Sequence, residues 1–187
     1  WRIIASEPAT TVNISFAAGT TFRSPAGMPP FSMGAGQVIS FEMAGTHAAP
    51  GDAVISADHP ILVVQYIEGQ ECTDRGAGDG GDPAMILMVP VEQYLDEYIF
   101  LTPNTYAQDF LTVIKPTTAV ITLDGAVMTA TPTPVTAGWE IYRVLVGDGV
   151  HAISGTEPFG IINVGYSPYV SYGYMGGLAL ERINPQD

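Results

Sequence analysis

Carboxylates cluster around a glycine-rich stretch between residues 68 and 82, where they could bind a hard cation. Calcium takes six to eight oxygen ligands from carboxylates and backbone carbonyls, and a flexible glycine-rich loop can supply both. The candidate ligands are Asp74, Asp79 and Asp82. Their spacing is not that of an EF-hand, and the same residues would also form an ordinary solvated loop. We expect no other cofactor, and the sequence leaves calcium binding by this loop as an open alternative.

The same stretch contains a literal Gly-x-Gly-x-x-Gly pattern over residues 76–81. A dinucleotide site needs a strand before these glycines, a helix after them and a cradle that attracts phosphate. Here the loop is acidic and leads into Asp82-Pro83. The pattern therefore does not predict nucleotide binding.

Nucleophilic catalysis needs a serine or cysteine beside a histidine that a third group orients. His47, His59 and His151 each lie beside a turn or at a strand end, and the chain has no Gly-x-Ser-x-Gly motif. We therefore predict no catalytic residues and no enzymatic activity. Cys72 is the only cysteine, so it is either an ordinary thiol or half of a bridge to a cysteine outside this sequence.

Tyrosines gather near the end of the chain, interleaved with glycine and serine. Aromatic side chains with one wet edge suit protein or carbohydrate contacts, because they bring a large area at a small entropy cost. The same residues would also pack the last strands of a β-sheet. The candidate partner-binding residues are Tyr166, Tyr169, Tyr172 and Tyr174.

The elements that must position these residues are short β-strands. The chain has 21 glycines and 15 prolines, and the segments between them are rich in Val, Ile, Thr, Tyr and Phe, which is typical of a sandwich or barrel. Leu123-Asp124-Gly125-Ala126-Val127 predicts a tight hairpin. Residues 91–98 are the best helix candidate, and residues 177–181 are predicted as a final strand.

An internal sequence similarity predicts two similar halves. The segment at residues 55–66, ISADHPILVVQY, returns 98 positions later at residues 153–164 as ISGTEPFGIINV. We therefore predict an all-β fold of two tandem β-sandwich-like, jelly-roll-like units related by duplication. The predicted units are residues 1–83 and residues 84–187.

Charge excludes two classes of partner. The formal net charge is −13 with only six basic residues, so nucleic acid and anionic membrane surfaces would repel the chain. Apolar residues make up 47% of the chain, too many for disorder. The longest apolar runs are far below the roughly 20 residues of a membrane helix, so we expect no membrane insertion.

The order and spacing of several segments resemble the N-terminal domain family of IgGFc-binding proteins, which occurs in mucus-associated animal proteins and in bacterial surface or secreted proteins. The matching segments are residues 55–66, 81–85, 89–94, 120–125, 158–160, 165–167, 171–174 and 176–178. The chain resembles the C-terminal two thirds of that domain, in a bacterial-type member. Met175 stands where the family often has proline.

The resemblance implies an extracellular or cell-surface, non-catalytic adhesion or structural module. Its expected partners are proteins or glycans on extracellular surfaces, and exposed strand edges would permit a homo-oligomer or filament. The alternative function is a carbohydrate-binding module that uses the tyrosine-rich surface, with calcium assisting. No antibody-contacting residues carry over from the family to this chain.

Overall fold

The structure is a computed structural model that describes residues 1–46, 48–72, 80–136 and 138–180. These residues contain antiparallel strands and two 3-10 turns but no α-helix, which confirms the all-β prediction. No helix in these ranges is long and apolar enough to cross a membrane.

The first half of the chain contains nine strands. They are β1 (Arg2–Ala5), β2 (Thr10–Phe16), β3 (Thr21–Arg23), β4 (Phe31–Met33), β5 (Val38–Ser40), β6 (Glu42–Ala44), β7 (Ala53–Ala57), β8 (Ile61–Ile67) and β9 (Ala84–Leu87). They form a four-stranded sheet in the order β5-β1-β8-β9, a three-stranded sheet in the order β4-β2-β7 and a pair of β3 with β6. We call the four-stranded sheet the first sheet.

The second half contains eight strands. They are β10 (Leu95–Thr102), β11 (Gln108–Pro116), β12 (Ile121–Leu123), β13 (Ala126–Val127), β14 (Thr133–Pro134), β15 (Trp139–Val146), β16 (Gly149–Ser167) and β17 (Val170–Met175). All eight belong to one sheet, in which the 19-residue strand β16 pairs with four other strands. The beginning of β16 pairs with β10 and β12, and its end pairs with β11 and β17.

Each half has its own hydrophobic core. Ile3 of β1 and Val12 of β2 are fully buried in the first core, together with Met33 of β4. Leu111 of β11 and Phe159 of β16 are fully buried in the second core, next to Tyr98 of β10. Several strands contribute to each core, because alternate residues of a strand point to the same side.

The two halves share an order of strand neighbours. The order β5-β1-β8-β9 in the first half matches β15-β11-β16-β17 in the second. Likewise, β7 pairs with β2 as the beginning of β16 pairs with β12. Duplication would produce this likeness, and duplication itself stays a prediction.

The division of the chain into two folding units at residue 83 also stays a prediction. Strand pairing places β9, which begins at Ala84, beside β8 of the first half. The next strand, β10, pairs only with β16 of the second half.

Two predicted elements were wrong. Residues 91–98 form only a 3-10 turn at Val91–Gln93, followed by the start of β10. The alternation of buried Tyr98, Phe100 and Thr102 with exposed neighbours, and pairing with β16, favours a strand there. Residues 177–180 are not a strand, because Gly177 and Leu180 have positive φ values of 145° and 56°.

Candidate functional site

The structure covers only part of the predicted calcium site. Asp74 and Asp79 lie outside the described residues, as does His47. Asp82 is exposed, and its backbone N–H donates to Ser171 Oγ over 3.3 Å. Within the described ranges no three His, Cys, Asp or Glu side chains form a group that could hold a metal. Calcium binding by this loop therefore stays a prediction.

Tyr172 packs within an aromatic group at the surface of the second half. Its ring centroid lies 4.7 Å from that of Tyr106 and 5.9 Å from that of Tyr174. Its hydroxyl donates a hydrogen bond to the buried carboxylate of Asp109. Burial, and then the bond to Asp109, raise the pKa of Tyr172. This hydroxyl is thus occupied within the protein.

Tyr174 hydrogen-bonds to backbone groups on the outer edge of β10. Its hydroxyl donates to the Leu101 carbonyl over 2.7 Å and accepts from the Leu101 N–H over 3.1 Å. Asn163 Nδ2 donates to the same hydroxyl over 3.0 Å. These bonds satisfy backbone groups on the side of β10 that faces away from β16.

The other two tyrosines have different surroundings. Tyr166 makes an edge contact with Phe110 at 6.0 Å between ring centroids. Tyr169 is exposed in the turn before β17, and its N–H donates to Gln70 Oε1 over 3.2 Å. The hydroxyls of Tyr172 and Tyr174 are engaged internally. A role of the four tyrosines in partner binding stays a prediction.

His151 lies between an acid and a hydroxyl, a grouping that sequence reasoning missed. Its Nδ1 is 2.7 Å from Asp124 Oδ2, and its Nε2 is 3.2 Å from Thr102 Oγ1. Nε2 is also 2.8 Å from the Gly147 carbonyl. Because a carbonyl can only accept, Nε2 carries a proton there and has no lone pair with which to activate Thr102.

The charged form of His151 is favoured by its partners. Burial alone would lower the pKa of His151, but the hydrogen bonds to Asp124 and to the Gly147 carbonyl outweigh burial and raise it. The bonds from His151 and from the Ala152 N–H lower the pKa of Asp124. The group is therefore a structural ion pair rather than a general base.

A cleft of about 580 Å³ lies beside the first sheet. Trp1 stacks parallel to Phe41 at its edge, with 6.4 Å between ring centroids. The Arg2 guanidinium lies 5.2 Å from the centre of the Tyr66 ring, and its Nε donates to Ser40 Oγ over 3.3 Å. The lining residues are Trp1, Arg2, Arg23, Ser24, Pro25, Ser40, Phe41, Glu42 and Tyr66.

The outer face of the first sheet is an exposed apolar surface. Cross-strand register places Val38, Ile4 and Leu62 in one row, and the next row is Ser40, Arg2, Val64 and Leu87. The exposed members are Val38 at 50%, Leu62 at 43%, Leu87 at 52% and Met85 at 63%. We call these four residues the apolar face.

The corresponding surface of the second half is covered. Register places Ile141 and Ile162 at the positions that match Val38 and Val64. Both are buried, and the ring of Tyr94 lies over Gly160 at the position that matches Leu62. Val38 and Leu62 are therefore open where Ile141 is buried and Gly160 is covered, whereas Val64, at 6% exposure, is as buried as Ile162.

A comparison with known protein families shows which family the chain belongs to. Residues 1–165 match the model of the family described as IgGFc binding protein. The chain belongs to the IgGFc-binding family. The family is one of non-catalytic binding domains of extracellular proteins, so a coarse role as a binding or structural module follows. Neither the curated proteins nor the solved structures gave a match.

Sequence reasoning found this family but missed the cleft and the apolar face. The cleft is built from β1, β3, β5, β6 and β8 and the residues after β3, which are distant along the chain. The sequence does not show the apolar face, because an apolar residue on either side of a strand gives the same signal. Only the sheet order shows which side lacks a cover.

Proposed function

We propose that this IgGFc-binding family domain is an extracellular, non-catalytic adhesion or structural module that assembles with further copies of itself. The observation that carries the proposal is the apolar face, four large side chains that are 43% to 63% exposed on adjacent strands. Large exposed apolar side chains grouped in this way mark protein contact sites. The rows that contain them include one cation, Arg2, and no carboxylate, although the chain carries a net charge of −13.

Association of two copies would cover the exposed side chains of the apolar face on both partners. A two-fold contact would place the same surface on both partners, as in most homodimers. Repulsion between two copies of an acidic chain is weakest where neither presents carboxylates. Exposed strand edges beside this face would extend such a contact into larger assemblies.

Light scattering after size-exclusion chromatography tests the proposal. The mass of the unmodified protein should rise with concentration, and Leu62→Lys with Leu87→Lys should keep it monomeric. The matched control is Leu145→Lys with Ile99→Lys, because these side chains are 65% and 76% exposed elsewhere on the molecule. A monomer at all concentrations, or equal loss of assembly in the control, would rule the proposal out.

A carbohydrate-binding module is the second candidate, and the cleft favours it. Trp1 and Tyr66 offer ring faces, and Arg2 offers planar hydrogen-bond donors, which suit sugar rings and acidic sugars. The tyrosine-rich surface and calcium remain part of this alternative. A glycan array, read with and without calcium, separates the candidates: a sugar preference that Arg2→Ala abolishes supports the module.

A further inference from the structure

One edge of β7 has unpaired backbone groups. Val54 and Ser56 face β2 in the hydrogen-bonded positions, since the flanking bonds join Ala17 N to the Asp52 carbonyl and Asp58 N to the Thr11 carbonyl. The N–H and C=O groups of Ala53, Ile55 and Ala57 therefore point to the other side. Among the described residues, none bonds to those three residues on that side.

The matching edge in the second half is occupied. At the offset of 98 residues, Ala53 and Ile55 correspond to His151 and Ile153 in β16. Those two residues pair with Phe100 and Tyr98 of β10. The backbone groups of Ala152 between them point towards β12, since Asp124 N bonds to the Ala152 carbonyl. Strand β10 thus fills in the second half the place that is open beside β7.

The first core, beside β7, also differs from the second core, beside β16. Tyr98, Phe100 and Thr102 of β10 are each at most 5% exposed, and the first two belong to the second core. Ile153 beside them is buried, whereas its counterpart Ile55 is only partly buried against the first core. The side of β7 that faces the core is therefore less enclosed than the matching part of β16.

We propose that the β7 edge is an acceptor site for an extended polypeptide segment, which adds an antiparallel strand there as β10 does beside β16. The segment carries aromatic or aliphatic residues at alternate positions. The backbone N–H and C=O groups along one of its edges are free to pair with β7. This proposal deepens the proposed function and rests on it, because it names a partner class for the same module.

Two features favour a polypeptide over a small ligand. The open groups alternate along the strand with a repeat of about 7 Å, which another β-strand matches. On the outer edge of β10, by contrast, the Tyr174 hydroxyl covers the backbone groups of Leu101. Natural sheets cover edges that must not pair, and β7 lacks such a cover in the described structure.

A capped, labelled peptide with the sequence of residues 95–102 is the probe, titrated into the protein and followed by fluorescence anisotropy and backbone amide NMR. We expect saturable binding, with the largest shifts at Ala53, Ile55 and Ala57. The control peptide has N-methyl groups at the positions of Tyr98 and Phe100, the residues whose N–H groups face the partner strand. It should bind at least tenfold more weakly.

Variants of the protein complete the test. Ile55→Pro removes an outward N–H, which edge strands tolerate, and should weaken binding at least tenfold, while Ser56→Ala should not. Leu62→Lys with Leu87→Lys should bind the peptide normally, so failure of self-assembly and failure of this site remain distinguishable. Equal binding of both peptides, or edge amides already protected by a second copy, would overturn the proposal.

Discussion

At the residue scale, buried polar side chains in the second half hold the backbone in place. Lys115, the only lysine, is 1% exposed, and its Nζ donates to the Ala119 carbonyl over 2.7 Å and pairs with Glu140 at 2.6 Å. His151 similarly connects the Asp124 turn to the Gly147 carbonyl. Because each such group is satisfied by fixed partners, neither is available for chemistry.

Asp124→Asn tests the ion pair of His151. Asparagine tolerates the φ of 50° at this position, so the turn should persist while the charge is lost. The pKa of His151 is raised above its ordinary 6.5. Its charge therefore contributes stability that is fully present below pH 6.5 and lost as the pH rises through the folded pKa.

Urea unfolding at pH 5.5 and pH 9 measures the effect. At pH 5.5 the variant should lose about 1 kcal/mol, a low value for a bond to a charged group because Asp124 is partly exposed. The difference from wild type should narrow at pH 9. Imidazole NMR should show a lower titration midpoint for His151 in the variant. A loss that does not change with pH would contradict a charged His151.

At the element scale, β9 and β17 bring the two halves together. The side chain of Ile86 in β9 is 2% exposed and lies directly over Gly173 in β17. A Cβ on Gly173 would come within 2.8 Å of Ile86 Cγ1, and Ile67 Cδ1 would be 3.4 Å away. Glycine is therefore required at this crossing because it allows close approach of two strands.

Gly173→Ala should destabilise the protein by about 1 to 3 kcal/mol, the usual cost of overpacking. Ile86→Ala alone should cost about 2 to 5 kcal/mol by leaving a cavity. The double variant should cost clearly less than the sum, because the alanine methyl enters the vacated space. Chemical denaturation of the three variants measures this, and strictly additive costs would show that the two residues do not touch.

Local sequence signals predicted elements well where they were specific. The Asp124-Gly125 pair has φ values of 50° and 82° and joins β12 to β13, which confirms the predicted hairpin. Residues 61–67, which are rich in Val and Ile, form β8. The helix at residues 91–98 failed because Leu95 and Tyr98 fit helical spacing and strand alternation alike.

The candidate site was less predictable from sequence. Which strand edge lacks a neighbour depends on pairings between residues far apart in the chain, such as Tyr98 with Ile153. The similar segments at an offset of 98 residues indicate the matching strands, but only the pairings show that the second half has a strand beside β16 where the first half has none beside β7.

At the scale of the whole molecule, the two cores are unequally enclosed. The second is covered by β10 and by Tyr94 on its outer side. The first presents an apolar face and the open edge of β7. Membership of the IgGFc-binding family fits this asymmetry, since a binding module needs exposed surface that the rest of the fold holds in place.

Residue-resolved hydrogen exchange of the unbound monomer tests the asymmetry most directly. Amides in β-ladders exchange slowly, whereas unpaired edge amides exchange rapidly. An open β7 edge predicts rapid exchange at Ala53, Ile55 and Ala57 and slow exchange at Val54 and Ser56, with His151 and Ile153 both slow. Equal protection of Ile55 and Ile153 in the monomer would contradict the open edge.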